Sequence, residues 1–337
     1  MPRKNARRSS LLLLMLFALS ASVMGQKPDK NSKMHDRATL PGVIWQDPGD
    51  TASLNLLYGA GGQADAPNPS GQFTFVKEDL EDTSPKFDVT DEYGVEWRVK
   101  LGQESQSETA ATRFLWAAGY FVDEDYYLPE LTVTGLPTLQ RGENVVSANG
   151  TVHRARLERK LNEVKKLGSW DWFDNPFLGA REFNGLRVMM SLLNNWDLST
   201  VNNSIYDVGA ERRYVVSDVG ATFGNTGNTF TRSKSVPRDY AAAKSIENTT
   251  PDFVDLVLHS RPFFISVINV SNYRGRTRME QITKHLPRAD VKWLGHRLSM
   301  LSEEQIRDRF RAAGYTPEAI DTYTQAMQTR IAAVGAL

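Results

Sequence analysis

The chain has 337 residues, 40 basic and 40 acidic side chains, five histidines and no cysteine. Balanced charge leaves no overall field to draw in nucleic acid or anionic lipid, and the lack of cysteine removes disulfides, thiol nucleophiles and Cys-type zinc sites. His35, His153, His259, His285 and His296 are scattered without an HExxH-type pairing, so a histidine-based metal site has no support.

At the N-terminus, Arg3, Lys4, Arg7 and Arg8 form a positive region, Leu11 to Leu19 an apolar one, and Val23-Met24-Gly25 the short residues of a cleavage site. Ser10 to Met24 is shorter than the roughly 20 residues a membrane-spanning helix needs. Residues 1–25 read as a signal peptide cut before Gln26, by the Sec route rather than the twin-arginine one. The remaining chain of about 310 residues is expected to be exported, to periplasm or medium, with no stable membrane span.

Residues 26–70 are rich in Gly, Pro, Asp and Asn and read as a poorly ordered leader with one short strand near Leu54 to Tyr58. Gly59-Ala60-Gly61-Gly62 lacks GxGxxG spacing and reads as a linker. Strands are predicted at Phe73 to Val76, Phe87 to Thr90 and Val95 to Lys100, the last two joined by a turn at Asp91 to Gly94. Val95, Trp97 and Val99 share one strand face, Glu96, Arg98 and Lys100 the other. A helix follows, with Ser105 and Glu108 spaced as a capping box and Ala111, Phe114, Leu115 and Ala118 as its apolar stripe up to Gly119. Tyr126 to Val133 is a further strand.

Phe183, Leu186, Met190 and Leu193 define a buried helix ending at Asn194. Short strands at Ser204 to Tyr206 and Tyr214 to Ser217 flank a turn at Gly209, and a polar loop runs from Phe223 to Ser235. A strand at Val254 to His259 precedes helices to the end. Among these, Ser302 with Gln305 is a capping box, Gly314 a stop, and Thr316-Pro317 a new start.

Residues 194–224 hold the informative pattern. Asp197 is followed five residues later by Asn202, then strand, turn, strand and Asp218-Val219-Gly220. Phosphoryl transfer needs such groups: a carboxylate to orient the attacking hydroxyl and accept its proton, and an amide and a second carboxylate for the metal that bridges the phosphates. Here the chain resembles the protein-kinase-like superfamily, and the Asn195-Trp196-Asp197 opening and the Asp218 to Gly224 close are most similar to spore-coat protein kinases and related atypical secretory kinases.

The resemblance, over roughly residues 72–224, implies an α+β, bilobal protein-kinase-like fold. A small antiparallel sheet plus one helix would form an N-lobe at 71–140, and 141–337 a mainly helical C-lobe. It further implies Asp197 as catalytic base, Lys100 held by Glu108 as the phosphate-placing pair, and Asn202 and Asp218 as metal ligands. The cofactors would be ATP or another nucleoside triphosphate with Mg or Mn, and the acceptor a protein or small-molecule hydroxyl. The chain departs from the family pattern in lacking a glycine-rich phosphate loop and an A-P-E motif, in having Asn195-Trp196 where His-Arg is usual, and in Val219 where D-F-G has Phe.

Two rivals stand beside this reading. One is a catalytically inactive kinase-like binding or scaffold module; the other is a hydrolase pairing the carboxylates Asp197 and Asp218. Each residue also has a plainer role: Lys100 a solvated strand lysine, Glu108 a cap, Asp197, Asn202 and Asp218 turn residues, with Asn203 a substitute for Asn202. Glu108 sits on the inward stripe of its helix, where a carboxylate needs a cation beside it. Arg274, Arg276 and Arg278 alternate as phosphate candidates or as an exposed basic loop. The export expectation has a direct check: N-terminal sequencing of protein from its native host should start within a few residues of Gln26, and an intact Met1 would overturn it.

Overall fold

In the computed structural model the described residues are 40–80, 84–141, 146–147, 150–161, 164–226, 232–258, 275 and 277–337. The expected signal peptide, residues 26–39, which include His35, and His259, Arg274 and Arg276 lie outside them. Residues 40–70, expected to be poorly ordered, are packed. Strand β1 (Gly42–Val43) joins a sheet of the second half of the chain. Ile44 and Leu56 are buried in the larger core, and the Trp45 indole donates to the Ala118 carbonyl at 2.7 Å. These apolar residues are too sparse for a period, yet each finds a slot. Leu54 to Tyr58 forms turns after a short 3-10 helix, Thr51–Ser53, and is not a strand.

Strands β2 (Phe73–Asp79), β3 (Lys86–Asp91), β4 (Glu96–Leu101), β5 (Asp125–Thr134) and β6 (Thr151–Arg159) form a closed barrel in the order β2-β3-β4-β6-β5. All pairs are antiparallel except β2 with β5, whose parallel contact at Phe73 and Val133 closes it. The small sheet expected from sequence is thus closed. It also needs β6, which lies beyond the expected N-lobe limit at residue 140. Period-two alternation sends Phe87, Val89, Trp97, Val99 and Leu157 into the barrel, leaving Arg98, Lys100 and Arg156 on the opposite face. The Asp91 carboxylate fixes the β3–β4 turn by accepting from the amides of Tyr93 and Val95, each at 2.9 Å, while Gly94 adopts φ 83°.

Helix α1 (Gln103–Ala117) follows β4 directly. It starts three residues before the proposed capping box, from Gly102, so Ser105 is intrahelical and its hydroxyl donates to the Lys100 carbonyl at 2.8 Å. The second half of the chain holds β7 (Lys165–Gly168), α2 (Arg181–Leu192), β8 (Asn203–Asp207), β9 (Arg212–Val216) and α3 (Pro237–Ala242). It continues with β10 (Ile246–Thr249), β11 (Phe253–Leu256), β12 (Leu286–Pro287), α4 (Arg288–Ser299), α5 (Glu303–Ala312) and α6 (Pro317–Gly335). The strands pair as β1-β9-β8-β7 and β10-β11-β12. The Ser302–Gln305 capping box is present, and Gly314, at φ 68°, ends α5. No helix among the described residues is long and apolar enough to cross a membrane.

Two hydrophobic cores result, one inside the barrel and one around the helices. Although α1 follows a barrel strand, its stripe of Ala110, Ala111, Phe114 and Leu115 belongs to the helical core. Phe114 meets Phe310 of α5 and Phe223 at ring distances of 5.7 and 6.0 Å, and Phe223 in turn meets Tyr240 at 5.4 Å. The stripe therefore joins one core while β4, next in the chain, is committed to the other. Phe310→Ala is expected to lower the unfolding free energy by about 3–5 kcal/mol in urea titrations. A loss below about 1 kcal/mol would show that this cluster does not hold α1.

Candidate active site

Lys100 is the second-last residue of β4, and its neighbours Val99 and Leu101 fill the barrel, so its side chain leaves the barrel toward α1. Its Nζ lies 2.9 Å from Glu108 Oε2, 3.1 Å from Asp218 Oδ1 and 3.2 Å from Glu104 Oε2. Burial alone would push the ammonium down, but Glu108, Asp218 and Glu104 outweigh it and hold Lys100 above the usual lysine range. Glu104 and Glu108 sit one turn apart on α1 and so present both carboxylates to the same point.

Behind Glu108 stands a buried polar layer. Arg156 of β6 contacts Asp125 at 2.7 Å, Glu158 at 2.9 Å and Glu108 at 3.7 Å, and Arg113 meets Asp125 at 3.0 Å. Burial raises Glu108, Arg156 and Lys100 oppose it, and the outcome is a carboxyl pushed up to about 7.

Asp218, Asn202 and Asp197 meet through the backbone. The amides of Ser217 and Asp218 both donate to the Asn202 carbonyl, at 2.8 and 3.2 Å, and the Asn202 side-chain amide donates to the Asp197 carbonyl at 3.0 Å. The loop carrying Asp197 begins where α2 ends, at Asn194, which adopts φ 53°. The Asn194 side chain bridges the Gly224 carbonyl at 2.7 Å and Arg330 at 2.9 Å. Gly220 lies close under α1: a Cβ there would stand 3.0 Å from Glu104 Cβ, tight enough that α1 would have to give slightly, and the Ser107 hydroxyl donates to its carbonyl at 2.6 Å. The first turn of α1 therefore rests on the Asp218-Val219-Gly220 backbone.

Lys100, Glu108 and Asp218 thus converge directly; Asn202 is tied to Asp218 by a main-chain bond, and Asp197 is tied to Asn202 by the Asn202 side-chain amide. Asn203, the weighed substitute, is buried and donates to the Trp170 carbonyl at 2.9 Å, so it faces away from the cluster's ligand side. Arg278 is exposed, pairs with Asp171 at 3.0 Å and lies over the Phe173 ring. Sequence reasoning missed Glu104, Arg156 and Lys234. Glu104 had a usable signal, its i,i+4 spacing from Lys100; Arg156 lies on a strand that was not recognised; Lys234, bound to Glu104, lies in the Ser/Thr-rich loop.

Whether a metal–nucleotide complex suits these residues can be judged from the donors. Glu104, Glu108 and Asp218 face Lys100 and Lys234, with Arg156 behind Glu108, and Asp218 is the exposed carboxylate, at 45% against 2% for Glu108. Among the described residues no group of three or more His, Asp or Glu side chains could hold a metal by itself. Asp218 and Asn202 offer hard oxygen donors for an ion that takes its remaining ligands from phosphates and water, as Mg does. The set fits a metal shared with phosphate.

No protein-family model matches the chain, and no curated protein matches it significantly. Solved structures are similar to it. One is a Helicobacter pylori proinflammatory kinase, CtkA, at TM-score 0.41 and 10% identity, over 78% of this chain and 93% of that one. Another is the Golgi casein kinase, at TM-score 0.36 and 10% identity, over 79% and 71%. The same kinase with Mn and ADP bound aligns at TM-score 0.41 and 10% identity, over 91% and 74%.

Glu104 gives the site a stability signature. Burial would raise its carboxyl, but Lys100 and Lys234 bring it from 4.5 to about 2. A folded-state value below the unfolded one stabilises the fold above the unfolded value, and that contribution disappears as pH falls from about 4.5 to about 2. Its size is about 3 kcal/mol at most. The stability gap between wild type and Glu104→Gln should be constant above about pH 5 and close as pH approaches 2. A gap independent of pH would refute the assignment.

Proposed function

We propose that this chain is an exported kinase-like phosphotransferase that moves phosphate from a metal-bound nucleoside triphosphate to a hydroxyl on a protein or small molecule. The observation that carries the reading is the meeting of Lys100 with Glu108 and Asp218, with Asn202 and Asp197 tied to Asp218 through the β8–β9 end. Their order along the chain, Lys100, Glu108, Asp197, Asn202 and Asp218, is the one that the resemblance to the protein-kinase-like superfamily implies, and their roles are those phosphoryl transfer needs.

In this reading Lys100, oriented by Glu108 and kept charged by its carboxylates, donates from Nζ to phosphate oxygens. Asp218 and Asn202 would hold Mg or Mn, which would supply positive charge to offset that developing on the transferred phosphoryl group. Asp197 orients the acceptor hydroxyl and takes its proton as the oxygen–phosphorus bond forms. The bond from phosphorus to the leaving nucleoside diphosphate breaks in the same displacement. Lys234, held by Glu104, supplies a second cation at the mouth. The Lys100–Asp218 contact speaks against the hydrolase alternative, since Asp218 is engaged by a cation instead of standing as half of a carboxylate pair.

Calorimetric titration with ATP and Mn or Mg tests the reading. Wild type should bind only with metal; Asp218→Asn should weaken binding about tenfold or more while melting within a few degrees of wild type, and Lys100→Met should weaken it as much and also lower the melting temperature, since it strands the buried Glu108. Asp197→Asn should keep binding and lose about 10²–10⁴-fold in transfer. Absence of metal-dependent binding in the wild type would establish the inactive-module alternative. Equal binding by Asp218→Asn would show that the site is misassigned.

A further inference from the structure

A cavity of about 540 Å³ lies away from the Lys100 cluster, and none of Lys100, Glu108, Asp197, Asn202 or Asp218 lines it. It is enclosed by the segment around Gln46 to Ala60, the end of α1 with the loop into β5, the chain from β6 to Val164, and the β8–β9 hairpin. Leu54, Trp116, Phe121, Val122, Leu161 and Val164 give it apolar walls. Its size is that of a small-molecule site, for which about 300–1,000 Å³ is usual.

The charged groups on its wall indicate what it would take. Each cation there has a carboxylate partner: Arg159 has Asp65 at 2.8 Å and Glu124 at 3.4 Å, Lys160 has Asp88 at 2.8 Å, and Arg213 has Glu211 at 2.8 Å and lies over the Phe121 ring. The acids are matched as well, Asp47 by Arg297 at 2.7 Å and Glu158 by Arg156 at 2.9 Å. Asp123 differs. It makes no ion pair or hydrogen bond among the described residues, although it lines the cavity. Burial, followed by the nearby Glu158, raises its carboxyl well above the ordinary range. Asp123 is half-buried, and a carboxyl set against apolar walls without a partner is one that a cation delivered beside it would charge and bind. A bare metal ion fits poorly, since no three acidic or histidine side chains among the described residues are grouped to hold one. An anion would find every wall cation already paired.

We propose that this cavity is a second ligand site, separate from the phosphoryl-transfer cluster, which takes a small organic amine. Its protonated nitrogen would pair with Asp123, and its apolar or aromatic body would pack on Trp116, Phe121 and Leu161. The site does not depend on the phosphotransferase reading. It is linked to the cluster, however: Arg156 contacts Glu158 on the cavity wall and Glu108 at the Lys100 end, so one guanidinium touches both sites. An amine that changes the Asp123–Glu158 charge balance would change nucleotide affinity, and by linkage nucleotide would change amine affinity by the same factor.

The probe is 2-phenylethylammonium, compared with its neutral counterpart 2-phenylethanol and the anion 3-phenylpropionate, each titrated into the full chain with saturation-transfer NMR as readout. The amine should bind saturably and about tenfold or more tightly than the alcohol, with no saturable binding of the anion. Asp123→Asn should remove that preference. Leu161→Trp, which fills the cavity without altering charge, should abolish amine binding and remains informative if Asp123→Asn does not fold. Equal affinity for amine and alcohol, amine binding that survives Leu161→Trp, or no saturable amine binding would each overturn the proposal.

Discussion

Everything around the site is organised by one ammonium, that of Lys100. It lies in the seam between the two cores and is met by three carboxylates, two from α1 and one from the segment after β9. Taking a lysine and a glutamate out of water is expensive, and a buried ion pair seldom repays that cost as stability. Its advantage is position. Removing either partner would strand the other charge, so the pair fixes β4, α1 and Asp218 relative to one another. Arg156, Asp125 and Arg113 extend the same logic backward and keep Glu108 facing Lys100.

The apolar stripe of α1 decides which half of the molecule carries the carboxylates. Phe114 is packed on Phe223 and Phe310, and the guanidinium of Arg309 lies 3.7 Å above the Phe114 ring. Ser107 and Glu104 rest on Gly220. Glu104, Glu108 and Asp218 are thereby seated on the helical core, while Arg113 with Asp125, Arg156 with Glu108 and Ser105 with the Lys100 carbonyl fasten α1 to the barrel as well. The helix that carries the carboxylates is thus held from both sides, with Lys100 between them.

Much of this was legible in the sequence wherever periodicity or a cap was strong. The β3–β4 hairpin, α2, the β8–β9 hairpin and the start of α5 follow from alternation, three-and-four spacing and turn chemistry at Asp91, Asn194, Gly209 and Ser302. Lys100 and Glu108 were readable as a pair because the inward stripe places a carboxylate where only a cation makes it tolerable. The misreadings have physical causes. Ser105 and Glu108 mimic a capping box, but Gly102 starts the helix and Glu108 is spent on Lys100. In β6 the inward residues Val152, Ala155 and Leu157 change phase at Arg154, which adopts φ 56°, so only Ala155 to Glu158 alternate cleanly, too short a run to read as a strand. Closure of the barrel depends on a non-local parallel contact between Phe73 and Val133, for which no local pattern exists. Residues 40–70 carry too few apolar side chains to suggest order, and their slots are supplied by distant elements.

The departure at Asn195-Trp196 also has a structural account. The Trp196 indole donates to the Ser233 carbonyl at 3.0 Å while Arg232 lies over its ring at 4.2 Å, a cation–π contact that joins the Asp197 loop to the 232–235 segment. The same stretch carries Lys234 to Glu104, and Ser235 to the Tyr315 hydroxyl at 2.6 Å, so Trp196 helps to seat the segment that brings Lys234 to Glu104. The loop that bears Asp197 and the loop that bears Lys234 are therefore fastened to each other by ring and backbone contacts, which salt screens far less than an exposed ion pair.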